Sequence, residues 1–146
     1  YTAKDIAVML DMDVIEVRNE IEIMEKERTI CGYHALVDWD KTDDEKISAL
    51  IELKVTPQRG EGFDRIAEKI YQYPEVESLY LMSGGYDFSV ILKKATMKEI
   101  ANFVSSRLAV IEEVQGTATH IVLVRYKDHG IQLAAPKKDM RMVVTP

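Results

Sequence analysis

The hydrophobic side chains of residues 47–126 switch between strand-like and helix-like spacing. The order of these segments restricts the possible folds more than any other feature of the chain. Apolar residues occupy every second position from Ile47 to Val55, which predicts a half-buried strand. Runs with helical spacing and strand-like runs then follow in the order helix, strand, strand, helix, strand: 63–71, 76–82, 88–92, 97–108 and 117–126. The sequence therefore predicts an α+β chain whose residues 47–130 form a ferredoxin-like βαββαβ domain, with both helices on one face of an antiparallel sheet.

The other face of this sheet has no helix to cover it. Its first strand presents alternate residues there, namely Ser48, Leu50, Glu52 and Lys54. A domain of this size buries its open face most simply against a second copy of itself. We therefore expect the chain to form at least a dimer.

The first 40 residues show a different pattern, with two helix starts close together. Thr2 and Asp5 have the capping-box spacing, and Asp13 and Glu16 repeat it 11 residues later. This predicts a short helix, a turn at residues 11–12, a longer helix to about residue 27, and a two-stranded wing over residues 30–37. The sequence thus predicts a winged helix-turn-helix over residues 1–40, a linker over 41–46 and an extended tail over 131–146.

The predicted second helix carries the candidate residues for reading DNA. Val17, Ile21 and Met24 form its apolar stripe and are expected to be core. The positions expected to meet base edges lie on its exposed face: Ile15, Arg18, Asn19 and Glu22.

The net charge of −6 conflicts with double-stranded DNA as a partner. Residues 1–40 contain four basic against ten acidic side chains, so the whole excess lies in the segment assigned to DNA. Two alternatives therefore stay open: sequence-specific binding helped by assembly, or an effector-sensing oligomer whose degenerate DNA-binding head acts through a protein partner.

The glycine-containing segment 83–87 has an ordinary and a functional interpretation. Ser83, Gly84, Gly85, Tyr86 and Asp87 form a hairpin turn, in which both glycines are expected to supply positive φ. Glycines also expose backbone N–H groups that can hold a carboxylate, and Asp87 is a candidate partner for an ammonium group.

Three motifs in this order resemble the Lrp/AsnC family (leucine-responsive regulator/asparagine synthase regulator). They are the segment Ile30-Cys-Gly-Tyr33, the segment Ser83-Gly-Gly-Tyr-Asp87, and the strand with Thr117, Thr119, Leu123 and Lys127. The tail from Arg141 to Pro146 resembles one subgroup of that family.

The resemblance implies a DNA-reading head and a C-terminal domain of the RAM type (regulation of amino acid metabolism), which dimerises through its sheet. It further implies assembly of dimers into octamers and a small effector, commonly an amino acid, bound between dimers. The effector residues are then those of the turn, with Thr117 and Thr119 as hydroxyl partners. Compared with the family, the first helix of the DNA-binding unit is expected upstream of Tyr1, Asp11 replaces a common glycine, and the second helix is acidic.

Other functional classes find no support in the sequence. His34, His120 and His129 lack metal-ligand spacing, and no glycine-rich phosphate loop or nucleophile constellation is present, so we expect no enzyme, metal or cofactor. The sequence has no uninterrupted apolar stretch of about 18 residues, so we expect no membrane-spanning segment. The single Cys31 favours a reducing cytoplasm.

Overall fold

The computed structural model describes residues 1–42, 46–57 and 62–133, which divide into two compact units. The first unit is Tyr1–Val37, and the second begins at Asp38.

Two helices joined by a tight turn make up most of the first unit. Helix α1 (Ala3–Leu10) begins with the predicted capping box, in which Thr2 and Asp5 bond each other's backbone N–H groups. The turn follows at Asp11, which adopts the left-handed conformation at φ 52°. Helix α2 (Val14–Lys26) begins where the Asp13 carboxylate accepts a hydrogen bond from Ile15 N at 2.7 Å. The predicted helices and their turn are therefore present.

The predicted two-stranded wing is not formed. Residues 30–37 contain no strand, and most of their side chains up to Ala35 are exposed. Alternating apolar residues form a strand only where a neighbouring segment pairs with their backbone hydrogen-bonding groups. The eight residues 30–37, interrupted by Gly32, are too few to fold back and pair with themselves.

The second unit contains a four-stranded antiparallel sheet in the order β2-β3-β1-β4. Its elements in chain order are β1 (Ile47–Val55), α3 (Gly62–Tyr71), β2 (Val76–Leu81), β3 (Phe88–Ala95), α4 (Met97–Phe103) and β4 (Val114–Ile121). Helix α4 begins with a capping box of Thr96 and Glu99 and continues into a π-helical turn, Val104–Leu108. The order of elements agrees with the predicted βαββαβ domain.

One face of the sheet carries the hydrophobic core. Ile51 and Leu53 at its centre are 0% exposed, and alternate residues of β1 and β3 pack with both helices in one cluster. The cluster includes Ile66 and Ile70 of α3 and Ile100 of α4. Since both helices pack against this face, the alternate strand residues project to a second face that none of the described helices of this unit covers.

The last segments differ from the prediction in their bounds. Strand β4 begins at Val114 and ends at Ile121, whereas the sequence pattern suggested 117–126. A small hairpin follows, formed by β5 (Lys127–Asp128) and β6 (Ile131–Gln132). The first residues of the predicted tail thus belong to this hairpin, and residues 134–146 lie outside the described ranges.

Candidate functional site

The predicted effector turn connects β2 to β3 at one end of the sheet. Ser83, Gly84, Gly85 and Tyr86 are all exposed, as a ligand-contacting loop requires. Only one of the two glycines has positive φ: Gly84 lies at +153°, whereas Gly85 does not need the conformational freedom of glycine. The expectation that both supply positive φ is wrong, because the turn needs only one such residue.

Asp87 ties this turn to the end of the central strand. Its Oδ2 accepts a hydrogen bond from Val55 N at 2.9 Å, and its Oδ1 accepts one from Lys54 Nζ at 3.1 Å. The Asp87 backbone N donates to Leu53 O at 2.8 Å. The Val55 N–H bond is the largest of the causes that lower the pKa of Asp87, followed by Lys54, so the carboxylate is ionised at neutral pH. Both of its oxygens already have partners within the domain.

Thr117 and Thr119 lie at the same end of the sheet but on its helix-bearing side. They pair with Leu53 and Ile51 across the β1–β4 ladder, and directly opposed residues project to the same face. The carboxylate of Asp87, in contrast, bonds to Lys54, which alternation places on the opposite face from Leu53. Within one protomer, the predicted residues therefore share an end of the sheet without facing a common space.

Sequence reasoning missed Lys54 as a member of this site. Its ammonium bonds to the carboxylate of Asp87, although the two residues are 33 positions apart. A polar residue at an alternate position of a strand signals only that it faces away from the core, so no local pattern identifies its partner.

The candidate DNA-reading residues share the exposed side of α2. Ile15 is 68% exposed, and Arg18 and Asn19 are exposed beside it. Glu22 is held by Lys26 one turn later at 2.8 Å, and this hydrogen bond is the main cause of its lowered pKa. The negative charge of Glu22 therefore persists at neutral pH on this face, where a base-contacting surface is ordinarily neutral or basic.

The helix-free face of the sheet mixes apolar and polar side chains. Leu50 of β1 and Ile91 of β3 oppose each other and are both half-buried. Glu52 lies beside them, and its carboxylate is 2.9 Å from Nε2 of His120 on β4. A centre of aliphatic side chains with charged groups around it is typical of a surface that pairs with another protein.

Residues 1–42, 46–57 and 62–133 contain no group of three or more potential metal ligands. The same residues form no helix long and apolar enough to cross a membrane.

Comparison with known proteins decides the family. The model of the Lrp/AsnC ligand binding domain matches residues 48–132, the region of the sheet and its helices. An uncharacterized HTH-type transcriptional regulator of Bacillus subtilis, YugG, is 46% identical over 142 residues, which cover 97% of this chain and 86% of the relative. The chain belongs to the Lrp/AsnC family. It is accordingly a transcription regulator with an effector-binding domain and not an enzyme.

Solved Lrp/AsnC structures share the fold. AsnC of Escherichia coli has a TM-score of 0.68 at 17% identity and covers 88% of this chain and 85% of its own. A Neisseria meningitidis regulator, solved in complex with L-methionine, has a TM-score of 0.69 at 18% identity and covers 93% and 85%. A feast or famine regulatory protein of Mycobacterium tuberculosis, also complexed with L-methionine, has a TM-score of 0.70 at 17% identity and covers 91% and 87%.

Proposed function

We propose that this protein is a cytoplasmic DNA-binding regulator that works as a homo-oligomer and whose sheet domain binds an amino acid. The observation that carries the proposal is the match of the Lrp/AsnC ligand binding domain to the segment that contains the exposed turn 83–87. The L-methionine complexes of two regulators with this fold support an amino acid as the effector.

The turn supplies the chemistry that an α-amino acid needs. Gly84 and Gly85 expose backbone N–H donors to a carboxylate, and Tyr86 offers an apolar wall beside them. Asp87 fixes the position of the turn and leaves unused lone pairs on its carboxylate for an ammonium group. Because Thr117 and Thr119 lie on the other face, we propose that a neighbouring protomer contributes them when oligomers close the site.

The effector proposal predicts that Gly85→Val abolishes amino acid binding without unfolding the domain. A Cβ at Gly85 meets no atom within 4 Å, and the residue has no positive φ, so the fold tolerates a side chain there. The same side chain blocks the approach of a ligand to the backbone. We expect at least a tenfold (about 1.4 kcal/mol) loss of affinity for L-methionine, or for the best ligand of an amino acid panel, in calorimetric titration.

The matched control for this experiment is Gly32→Val, since Gly32 also has open space around it but lies in the first unit. Wild-type affinity in Gly85→Val, with a wild-type melting temperature, would show that the turn is structural and that the effector binds elsewhere.

For the DNA-reading head, we propose that Arg18 contacts a base and that assembly raises the low affinity of an acidic helix. Several linked heads increase the effective concentration of each one, which offsets repulsion between phosphates and the excess of carboxylates. Arg18→Ala should weaken binding to a duplex selected by the wild-type protein by about 1–3 kcal/mol, or roughly fivefold to 150-fold, and relax its specificity. Fluorescence anisotropy at low and moderate salt, with and without amino acids, measures both effects.

Lys4→Ala is the control for this variant, because it removes a positive charge from the same unit but lies on α1, away from the predicted base-reading positions. It should reduce binding to all duplexes by a similar factor and leave the preference among them unchanged. Identical affinity and specificity in Arg18→Ala and wild type would contradict the role of Arg18.

A second candidate function follows from the charge of residues 1–40. Four basic against ten acidic side chains favour a basic protein partner over nucleic acid for a head that no longer binds DNA. In this case, binding to DNA stays weak and nonspecific in every oligomeric state, while the sheet domain still senses its effector.

A further inference from the structure

A second concave site lies at the end of the sheet opposite to the effector turn. It is a cavity of about 460 Å³ lined by residues before β2, at the end of β3 and along α4 with its π-helical turn. Residues 88–91 of β3 separate it from the turn by roughly 15 Å. Its volume falls within the usual range of small-molecule sites and far exceeds that of an inorganic ion.

The charges around this cavity contrast with those of the chain. Four basic side chains line it, namely Lys46, Lys93, Lys94 and Arg107, against the two carboxylates of Glu75 and Glu99. The lining thus has a net charge of +2 in a protein whose net charge is −6. Glu99 is already occupied, because its Oε2 accepts hydrogen bonds from the Thr96 N and Oγ1, both at 2.8 Å. The surplus of positive charge favours an anionic ligand.

The bottom of the cavity consists of core side chains. Leu92, Ile100 and Phe103 line it and are at most 4% exposed. A ligand that fills the space therefore meets hydrocarbon below and cations at the rim. This combination fits a carboxylate on an aliphatic body better than it fits a phosphate ion or a strongly polar molecule.

The π-helical turn gives the cavity part of its shape. Residues Val104–Leu108 leave α-helical geometry, and Ser106 and Arg107 of this turn line the cavity. The Arg107 guanidinium lies 5.8 Å from the centre of the Tyr73 ring, which holds it at the rim. Single π-helical turns interrupt α-helices at a cost in stability and occur frequently at functional sites.

We propose that this cavity is a second ligand site, which binds a small organic carboxylate with an aliphatic body. Arg107 and Lys93 provide charge-assisted hydrogen bonds to the carboxylate, and the core side chains contact the hydrocarbon. The carboxylate belongs either to an amino acid or to its deaminated 2-oxo acid. Glu75 at the rim is able to accept the ammonium group that distinguishes the two.

The single tryptophan of the chain reports on this cavity. Lys94 Nζ lies 5.7 Å from the centre of the Trp39 ring, and Trp39 is 40% exposed. A carboxylate that draws Lys94 into the cavity changes the surroundings of the indole. Binding at the distant effector turn has no such direct effect, so tryptophan fluorescence separates the two sites.

The test titrates the full chain with 4-methylpentanoate, 4-methyl-2-oxopentanoate and L-leucine, with tryptophan fluorescence and calorimetry as readouts. We expect saturable binding of 4-methylpentanoate and of at least one of the other two compounds. Lys93→Glu and Arg107→Glu should each weaken it about tenfold or more, as expected for loss of a charge-assisted hydrogen bond. Lys98→Glu, on α4 but outside the lining, is the matched control and should bind as wild type. Gly85→Val should also retain this binding, even though its effector turn is blocked.

Binding of L-leucine at the same site, in competition with the other two probes, would assign the ligand to the amino acids. Binding restricted to the two probes without an ammonium group would assign it to the deaminated acids.

The proposal is overturned if 4-methylpentanoate does not bind, or if Lys93→Glu and Arg107→Glu bind it with wild-type affinity while keeping their fold. It is also overturned if the cavity takes up inorganic phosphate only, or if these two variants lose affinity for duplex DNA alone. The last outcome would make the basic rim a contact for the DNA backbone.

Discussion

Replacing Ile91 by arginine is expected to convert the assembled protein into monomers. Ile91 lies on the helix-free face, where it opposes Leu50 on β1 and Ser78 on β2. If two sheets pack through this face, the new guanidinium is desolvated at the centre of the contact without a carboxylate partner. An unpaired charge in such a position costs on the order of 3–5 kcal/mol, which weakens dimerisation by at least about a hundredfold.

Light scattering coupled to gel filtration at micromolar concentration measures this change as a halved or smaller mass. The control is Gln115→Arg, which adds the same side chain at an exposed position of β4. A monomeric wild type would refute the dimer itself. An unchanged mass in Ile91→Arg would mean that the protein assembles through another surface.

Removing Lys69 is expected to destabilise the sheet domain by about 2–3 kcal/mol at neutral pH. The Lys69 ammonium lies 2.6 Å from Oε1 of Glu113, whose side chain is only 5% exposed, and no described group bonds to the other oxygen, Oε2. Lys69→Ala therefore leaves a buried carboxylate without its counter-charge. The figure is at the lower end for buried pairs because Lys69 itself is 39% exposed to solvent.

The pH dependence of this effect has a definite sign. The hydrogen bond from Lys69 lowers the pKa of Glu113 below its ordinary value of 4.5. The pair therefore contributes its full stability above about pH 5 and loses it as the pH falls through the lowered pKa. Lys69→Ala removes the largest of the causes that lower this pKa, so the variant loses less stability on acidification and its difference from wild type shrinks.

Urea unfolding at pH 7 and pH 4 measures the loss of stability in Lys69→Ala and its dependence on pH. Glu113→Gln combined with Lys69→Ala is the matched control, because it removes the buried charge together with its partner and should recover part of the loss. A loss in Lys69→Ala that is the same at both pH values would refute the electrostatic explanation.

Features set by local sequence were predictable. Alternating apolar residues identified β1, and apolar residues at helical spacing from position 97 identified α4, which begins at Met97. The capped start nevertheless does not show which side chains reach the core. Met97 begins the apolar run of helical spacing, but it occupies the first helical position and is 58% exposed.

Features set by distant partners were not predictable. The wing failed because residues 30–37 have alternation without a partner strand, and β4 begins at Val114 because this residue pairs with Val55. The role of Asp87 depends on Lys54 and Val55, more than 30 positions earlier. The cavity lined by four basic residues likewise brings together segments that are distant in sequence and share no motif.

The position of β1 at the centre of the sheet has a consequence for synthesis of the protein. This strand is made before every strand it pairs with, and its Glu52 meets His120 only 68 residues later in the chain. Such long-range pairing slows folding, since the entropy of a large loop is lost before its contacts form. The apolar β1 thus emerges from the ribosome well before either neighbour, and both of its edges stay open to other nascent chains until β3 and then β4 are complete.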